Sequence, residues 1–195
     1  MAKFTATPSS FKGLNKAMIV LHRLGLGPYV SNPQTGYIMV LTTIGRKSGQ
    51  KQRTPVNYAM LDGDIYCTTA FGKTSDWYHN LKATPQVEVW LGKHWWAGQA
   101  EEVTDRTEWL PIYRLILINS GFAAKTFLGI DPSTISNDAL REIGAGQPII
   151  RIRVERELSG PDGPGDMTWV WPLAAAALLG WRWMRRRIRN QGARQ

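Results

Sequence analysis

The chain of 195 residues has one cysteine, Cys67, and three scattered histidines. A lone cysteine excludes an internal disulfide and suits a reducing compartment. With so few soft ligands, no metal-site spacing exists. No apolar run reaches the roughly 20 residues a helix needs to span a bilayer. The opening "MAKFTATPSSFKG" has no long apolar core, so no cleavable signal peptide is expected. No internal repeat is visible. Acid is also scarce: the net charge is +9, which asks for an anionic partner. Residues 167–195 contribute six arginines and no acid, leaving +3 for the rest.

One internal stretch lacks acid altogether. "TTIGRKSGQKQRTP" runs from Thr42 to Pro55, with Arg46, Lys47, Lys51 and Arg53 crowded around Gly45 and Gly49. Hydroxyls, backbone N–H groups and guanidinium groups converging on a glycine loop suit phosphate oxygens. A solvated basic hairpin tip fits the same residues. "GKT" at 72–74 is not a phosphate-binding Walker loop, because Cys67 stands where its first glycine belongs. No basic array elsewhere in the domain extends the loop, so specific nucleic-acid binding is not expected.

The rest of the chain reads as short strands joined by tight turns. "SSFKGLNKAMIVLHRLGLG" is an amphipathic helix capped by Ser9 or Ser10 and ended by Gly25. "YIMVLTT" (37–43) is a strand; "TPVNYAML" and "IYCTTA" form a hairpin turning at Asp62-Gly63. "SDWYHNLKATP" is a short helix, "QVEVWL" and "HWWAGQAEEV" a second hairpin, and "PIIRIRVERE" (148–157) a last strand. A helix opens at Thr104 or Asp105, with Glu108 placed for a capping box and Pro111 too deep for a first turn. About six strands with few helices predict a mainly β fold, a small barrel or sandwich with added helices. Residues 1–157 form that domain, 158–166 ("LSGPDGPGD") a linker by composition, and 167–195 a separate tail.

"LTTIGRKSGQKQRTPV" together with "DWYHNLKATPQVEVWLGK" resembles the deazaflavin-dependent nitroreductases, which use reduced coenzyme F420 on a split β-barrel. The resemblance covers about residues 37–105, with weaker agreement to about 155. It implies a split β-barrel oxidoreductase whose basic loop holds the phosphate and oligoglutamate tail of F420, with FMN as the alternative cofactor and a non-catalytic F420-binding or membrane-surface module as the alternative function. Position by position, it implies cofactor contacts at Arg46, Lys47 and Ser48. It extends them along Gln52, Arg53, Thr54, Pro55, Val56 and Asn57. A second loop would add Ala70, Phe71, Gly72 and Lys73, and the Trp-Tyr block Asp76, Trp77, Tyr78 and Asn80. The family's pocket tyrosines map onto "EWLPIYRLILINSGF", where Tyr113 alone remains as a proton-donor candidate. The implied acceptor is small and hydrophobic, a quinone or a nitro compound, and an F420 enzyme is expected in the cytoplasm.

The tail adds a second theme. Thr168–Trp181 is apolar, closed by Arg182 and Arg185–Arg187, with tryptophans at 169, 171, 181 and 183. Tryptophan favours the headgroup level of a membrane, and arginine favours anionic lipid. Residues 168–189 are thus expected to lie on the inner face of the cell membrane without crossing it. A helix packed on the domain or on a homodimer partner is the competing reading.

Overall fold

The computed structural model describes residues 8–69 and 72–192. In order, the chain forms α1 (Pro8–Arg23), α2 (Gly27–Val30), β1 (Ile38–Ile44), β2 (Lys51–Leu61) and β3 (Asp64–Thr68). After a short 3-10 turn at Gly72–Thr74 come α3 (Asp76–Ala83), β4 (Gln86–Leu91), β5 (His94–Glu102) and α4 (Arg106–Ile118). A π-type turn at Ala124–Leu128 precedes α5 (Asn137–Ile143), β6 (Ile149–Glu157) and α6 (Val170–Gly192). The strands close a barrel in the order β1-β2-β3-β6-β5-β4, every described pair antiparallel. This is the split β-barrel with added helices that the sequence predicts.

Alternation along the strands divides the apolar side chains between the inside of the barrel and its outer faces. Met39, Leu41, Val56, Ile65, Val89, Ile150 and Ile152 fill the inside, joined by Trp77, Tyr78 and Leu81 of α3. Ala59, Tyr66 and Ile149 face outward beneath α4 and α5. Val40, Trp90 and Trp95 form a third cluster beneath Ile19 of α1 and Leu158. At the β-bulge between Ala97 and Gly98, a side chain on Gly98 would collide with the carbonyl oxygen of Arg153. Only glycine lets β5 approach β6 that closely.

The structure adds three details to the sequence reading. Strand β2 starts at Lys51, inside the basic stretch, because its pairing with β1 runs out to Lys51 opposite Ile44. The turn itself is therefore only 45–50. Helix α4 begins at Arg106 under Asp105, whose carboxylate accepts from the Thr107 amide at 2.7 Å, and continues through Pro111. Residues 165–167 lie against the end of α1, whereas the Leu158 amide donates to the Trp95 carbonyl at 2.6 Å and the Asp162 carbonyl accepts from Arg53. Arg23 grips Asp166 with two nitrogens, at 2.6 and 2.9 Å. The Gly165 and Met167 amides donate to the His22 and Arg23 carbonyls, each at 2.9 Å.

The register fixes two ends. The β1–β2 turn, the end of β3, α3 and the start of β6 gather at one end. The β2–β3 and β4–β5 turns, the end of β6 and the root of α6 gather at the other. Among the described residues, no helix is long and apolar enough to cross a membrane.

Candidate functional site

The β1–β2 turn winds tightly on itself. Gly45 donates to Gln50, the Ser48 and Gly49 amides return to the Gly45 carbonyl, and Gly49 has φ of 67°. That left-handed position admits glycine at little cost. Asn80 on α3 then fixes the turn from below. It is 4 % exposed, and its Oδ1 accepts from the Arg46 amide at 3.1 Å and from the Arg46 guanidinium at 3.2 Å. Its Nδ2 donates to the Thr43 hydroxyl at 3.3 Å. Helix α3 is thus spliced to the turn through one amide side chain.

The turn and α3 enclose an open cavity of about 220 Å³. Arg46, Lys47, Ser48, Gln52, Thr54, Asp76, Trp77 and Asn80 of the predicted set all line it. The first turn of α3 faces the cavity through Asp76 and Trp77, and the Ser75 side chain makes no capping hydrogen bond. A helix start leaves backbone N–H groups unsatisfied and carries partial positive charge, which favours an anion.

The four cations of the stretch have separate fates. Arg46 pairs with Asp76 at 3.0 Å, on a carboxylate that is 88 % exposed. Lys51 pairs with Glu88 at 2.8 Å, and Arg53 lies 4.8 Å over the Trp90 ring and donates to the Asp162 carbonyl. Lys47 is exposed and has no ion-pair or hydrogen-bond partner among the described residues. Two side chains, not four, thus point positive charge at the cavity. Asp76 opposes them there.

Arg53 lies apart from the cavity. Because β2 already runs at Lys51, side chains alternate from that point. Gln52 and Thr54 face the cavity, while Lys51 and Arg53 turn to the outer face beside Trp95 and Trp90. Pro55 lies opposite Val40, and Val56 is core. Asn57 donates to the Tyr37 carbonyl at 3.3 Å, a bond that supports the segment before β1. None of the three lines the cavity. Gly72 and Lys73 lie beside α3, with Lys73 3.5 Å from Glu102. Ala70 and Phe71 fall outside the described residues.

Glu102 is a functional-looking group that no sequence signal singled out. It accepts from the Tyr78 hydroxyl at 2.9 Å and pairs with Lys82 at 3.3 Å. Burial pushes its carboxyl up, but the Tyr78 and Lys82 hydrogen bonds and the Lys73 charge outweigh it and hold the group low. Burial, and then the Glu102 contact, raise the Tyr78 hydroxyl. Tyr78 is therefore committed to Glu102 and does not line the cavity.

Tyr113 stands apart. It is 3 % exposed and stacked on Trp109 at 4.6 Å, beneath α5 in the outer cluster. Burial raises its hydroxyl above the ordinary tyrosine value. The packing makes it a core aromatic of the outer cluster, and it does not line the cavity.

The donor set fits an anionic, phosphate-bearing cofactor: an unpaired lysine, a weakly paired arginine, exposed turn amides and an uncapped helix start. The family model described as "F420H(2)-dependent quinone reductase" matches residues 21–126. An F420H(2)-dependent quinone reductase of Mycobacterium tuberculosis is 41 % identical over 58 residues, a match that covers 28 % of this chain and 38 % of that protein. Among solved structures, an F420-H2 dependent reductase aligns at 22 % identity and a TM-score of 0.41, over 60 % of this chain and 93 % of its own. A conserved hypothetical protein of Mycobacterium tuberculosis aligns at 19 % identity and a TM-score of 0.48, over 80 % of this chain and 86 % of its own. The family match spans the β1–β2 turn, all of α3 and five of the six strands, and the chain belongs to the F420H(2)-dependent quinone reductase family.

Proposed function

We propose that the protein is an oxidoreductase that uses reduced coenzyme F420 to reduce a hydrophobic acceptor of the quinone class, held at an anionic membrane surface by α6. The observation that carries the cofactor assignment is the cavity at the β1–β2 turn, where Lys47 stands unpaired beside the uncapped start of α3. When bound, reduced F420 supplies a hydride, and a quinone that gains a hydride and a proton becomes a quinol. This chain's part is to bind and orient. Lys47, Arg46 and the turn amides would hold the phosphate, and additional glutamates of the cofactor tail would lie in the same positive field. Asn80 acts as a positioning residue, since its polar atoms are spent on the turn and on Thr43.

The membrane part of the proposal rests on α6. Every side chain from Trp171 to Arg185 is exposed, including Leu173, Leu178, Leu179, Trp181 and Met184. A helix apolar around its whole circumference needs a nonaqueous surrounding. Its apolar part, about 12 residues at 1.5 Å each, extends roughly 20 Å, against about 30 Å for a hydrocarbon core. Lying in the interface meets both constraints, with Arg182 and Arg185 on lipid headgroups.

The test is turnover with reduced F420 against a panel of quinones and nitro compounds, with NADPH and FMN as the competing pair. Quinone-dependent oxidation of reduced F420 that the Arg46→Ala, Lys47→Ala double variant loses is expected. Copurified FMN with NADPH-driven activity would overturn the cofactor assignment. Nitro reduction without quinone reduction would overturn the acceptor.

A further inference from the structure

A second cavity, about 420 Å³, lies at the end of the barrel opposite the β1–β2 turn. Its walls are Leu24 and Leu26 after α1, Tyr29 of α2, and Pro164 and Trp171 at the root of α6. The lining is mostly apolar and contains no acid. Its one charged side chain is Lys93, on the β4–β5 turn, which is exposed and has no ion-pair partner among the described residues.

The walls are held in place. The Trp171 indole donates to the Leu24 carbonyl at 2.9 Å. The Arg23–Asp166 pair and the Gly165 and Met167 amides tie the facing segment to the end of α1. Apolar surface fixed open toward solvent is costly unless something covers it. Trp171 is at once a wall of this crevice and the start of the exposed apolar helix, so the two apolar surfaces are continuous.

We propose that this crevice takes one acyl chain of an anionic membrane phospholipid, with the lipid phosphate on Lys93. The inference rests on the membrane reading of α6 and deepens it: the root of the helix seats a specific lipid as well as touching the bilayer. The charge pattern selects the ligand. An apolar slot with a single unpaired cation at its rim matches a hydrocarbon chain ending in an anionic head. The neighbouring apolar helix, with its arginines, would meet the same bilayer.

The experiment uses the full chain on vesicles of phosphatidylcholine with phosphatidylglycerol, the latter carrying a photoreactive diazirine in one acyl chain. Crosslinked peptides are mapped by mass spectrometry, and vesicle binding is measured in parallel. Crosslinks on 24–29 and 164–171 are expected in addition to those on α6. Leu26→Trp, which fills the slot, should lower the former at least fivefold and leave vesicle binding within twofold. Lys93→Glu, on an exposed turn where folding is not at risk, should do the same. Crosslinks confined to 173–185 would overturn the crevice while leaving the membrane reading intact. Failure of the wild-type chain to bind vesicles would overturn both. Equal labelling of the crevice by a diazirine fatty acid free in solution would overturn the choice of a bilayer lipid as the occupant.

Discussion

Lys47 and Asp76 make opposed contributions to the same cavity, and their substitutions should move affinity in opposite directions. A charge-assisted hydrogen bond contributes about 1.5–3 kcal/mol, with exposure pulling the value toward the low end. Lys47→Ala should therefore weaken F420 binding about tenfold and leave the fold intact, as read by fluorescence titration and circular dichroism. Asp76→Asn should tighten binding a few-fold, because it removes a carboxylate that repels the phosphate and competes for Arg46. It should also lower stability by about 0.3–1 kcal/mol, since an acid in the first turn of α3 favours the helix. If Asp76→Asn weakens binding instead, the anion is not at this helix start. Arg53→Ala provides the counterpart on the other face of β2. It should cost about 1–2 kcal/mol of stability through the lost stacking on Trp90 and the lost bond to Asp162, with F420 affinity unchanged within twofold. A tenfold loss of affinity in Arg53→Ala with normal stability would contradict the orientation of that side chain.

At the scale of elements, the segment 165–167 is pinned to α1 in part by a pair that titrates. The Arg23 guanidinium, through its hydrogen bond and charge, holds the Asp166 carboxyl below the usual carboxylate range, and Arg53 adds to the effect. A depressed pKa means that the contribution to stability is present above the unfolded value of about 4 and is lost as pH falls through the folded one. Hydrogen exchange at the Gly165 and Met167 amides should accordingly lose protection only below about pH 4. In Asp166→Asn it should already be faster at pH 6, by roughly fivefold for about 1 kcal/mol, given that Arg23 is one-third exposed. Equal protection in the variant would mean that the backbone bonds hold the segment unaided. What the sequence disclosed at this scale was uneven, for physical reasons. Hairpins with strict alternation and Asp-Gly or Gly-Lys turns were legible, as was a six-strand barrel or sandwich; the family resemblance pointed to the split barrel. The true start of β2 was hidden, because polar, charged residues carry no strand pattern and the pairing with β1 decides. That one boundary decided which way Arg53 faces. The Asn80–Thr43 splice and the Glu102 hub join residues 37 and 24 positions apart, so neither had a local signal. The docking of 165–167 on α1 depends on an ion pair and two backbone hydrogen bonds between distant residues, which composition cannot show.

Across the whole molecule, the register separates two surfaces of different chemistry. The cavity proposed for the cofactor phosphate is at the β1–β2 end; the crevice and the root of α6 are at the β4–β5 end. Strands of about seven residues at 3.3 Å each put roughly 20 Å between them. A protein seated on a membrane through α6 would keep Lys93 at the lipid surface and Lys47 in the aqueous phase, where a soluble, highly charged cofactor can reach it. The two lysines report this orientation independently, since both are exposed and neither is paired among the described residues. Brief acetylation followed by mass spectrometry should show Lys47 protected severalfold by oxidised F420 and unaffected by anionic vesicles. Lys93 should show the reverse. In the Leu178→Asp, Leu179→Asp double variant, vesicles should no longer protect Lys93, while F420 protects Lys47 as before. Those leucines are 59 % and 66 % exposed, so their replacement leaves the barrel core untouched. Protection of Lys47 by vesicles alone would mean that the cofactor turn itself faces the bilayer. In that case the two ends of the barrel would have exchanged the roles assigned to them.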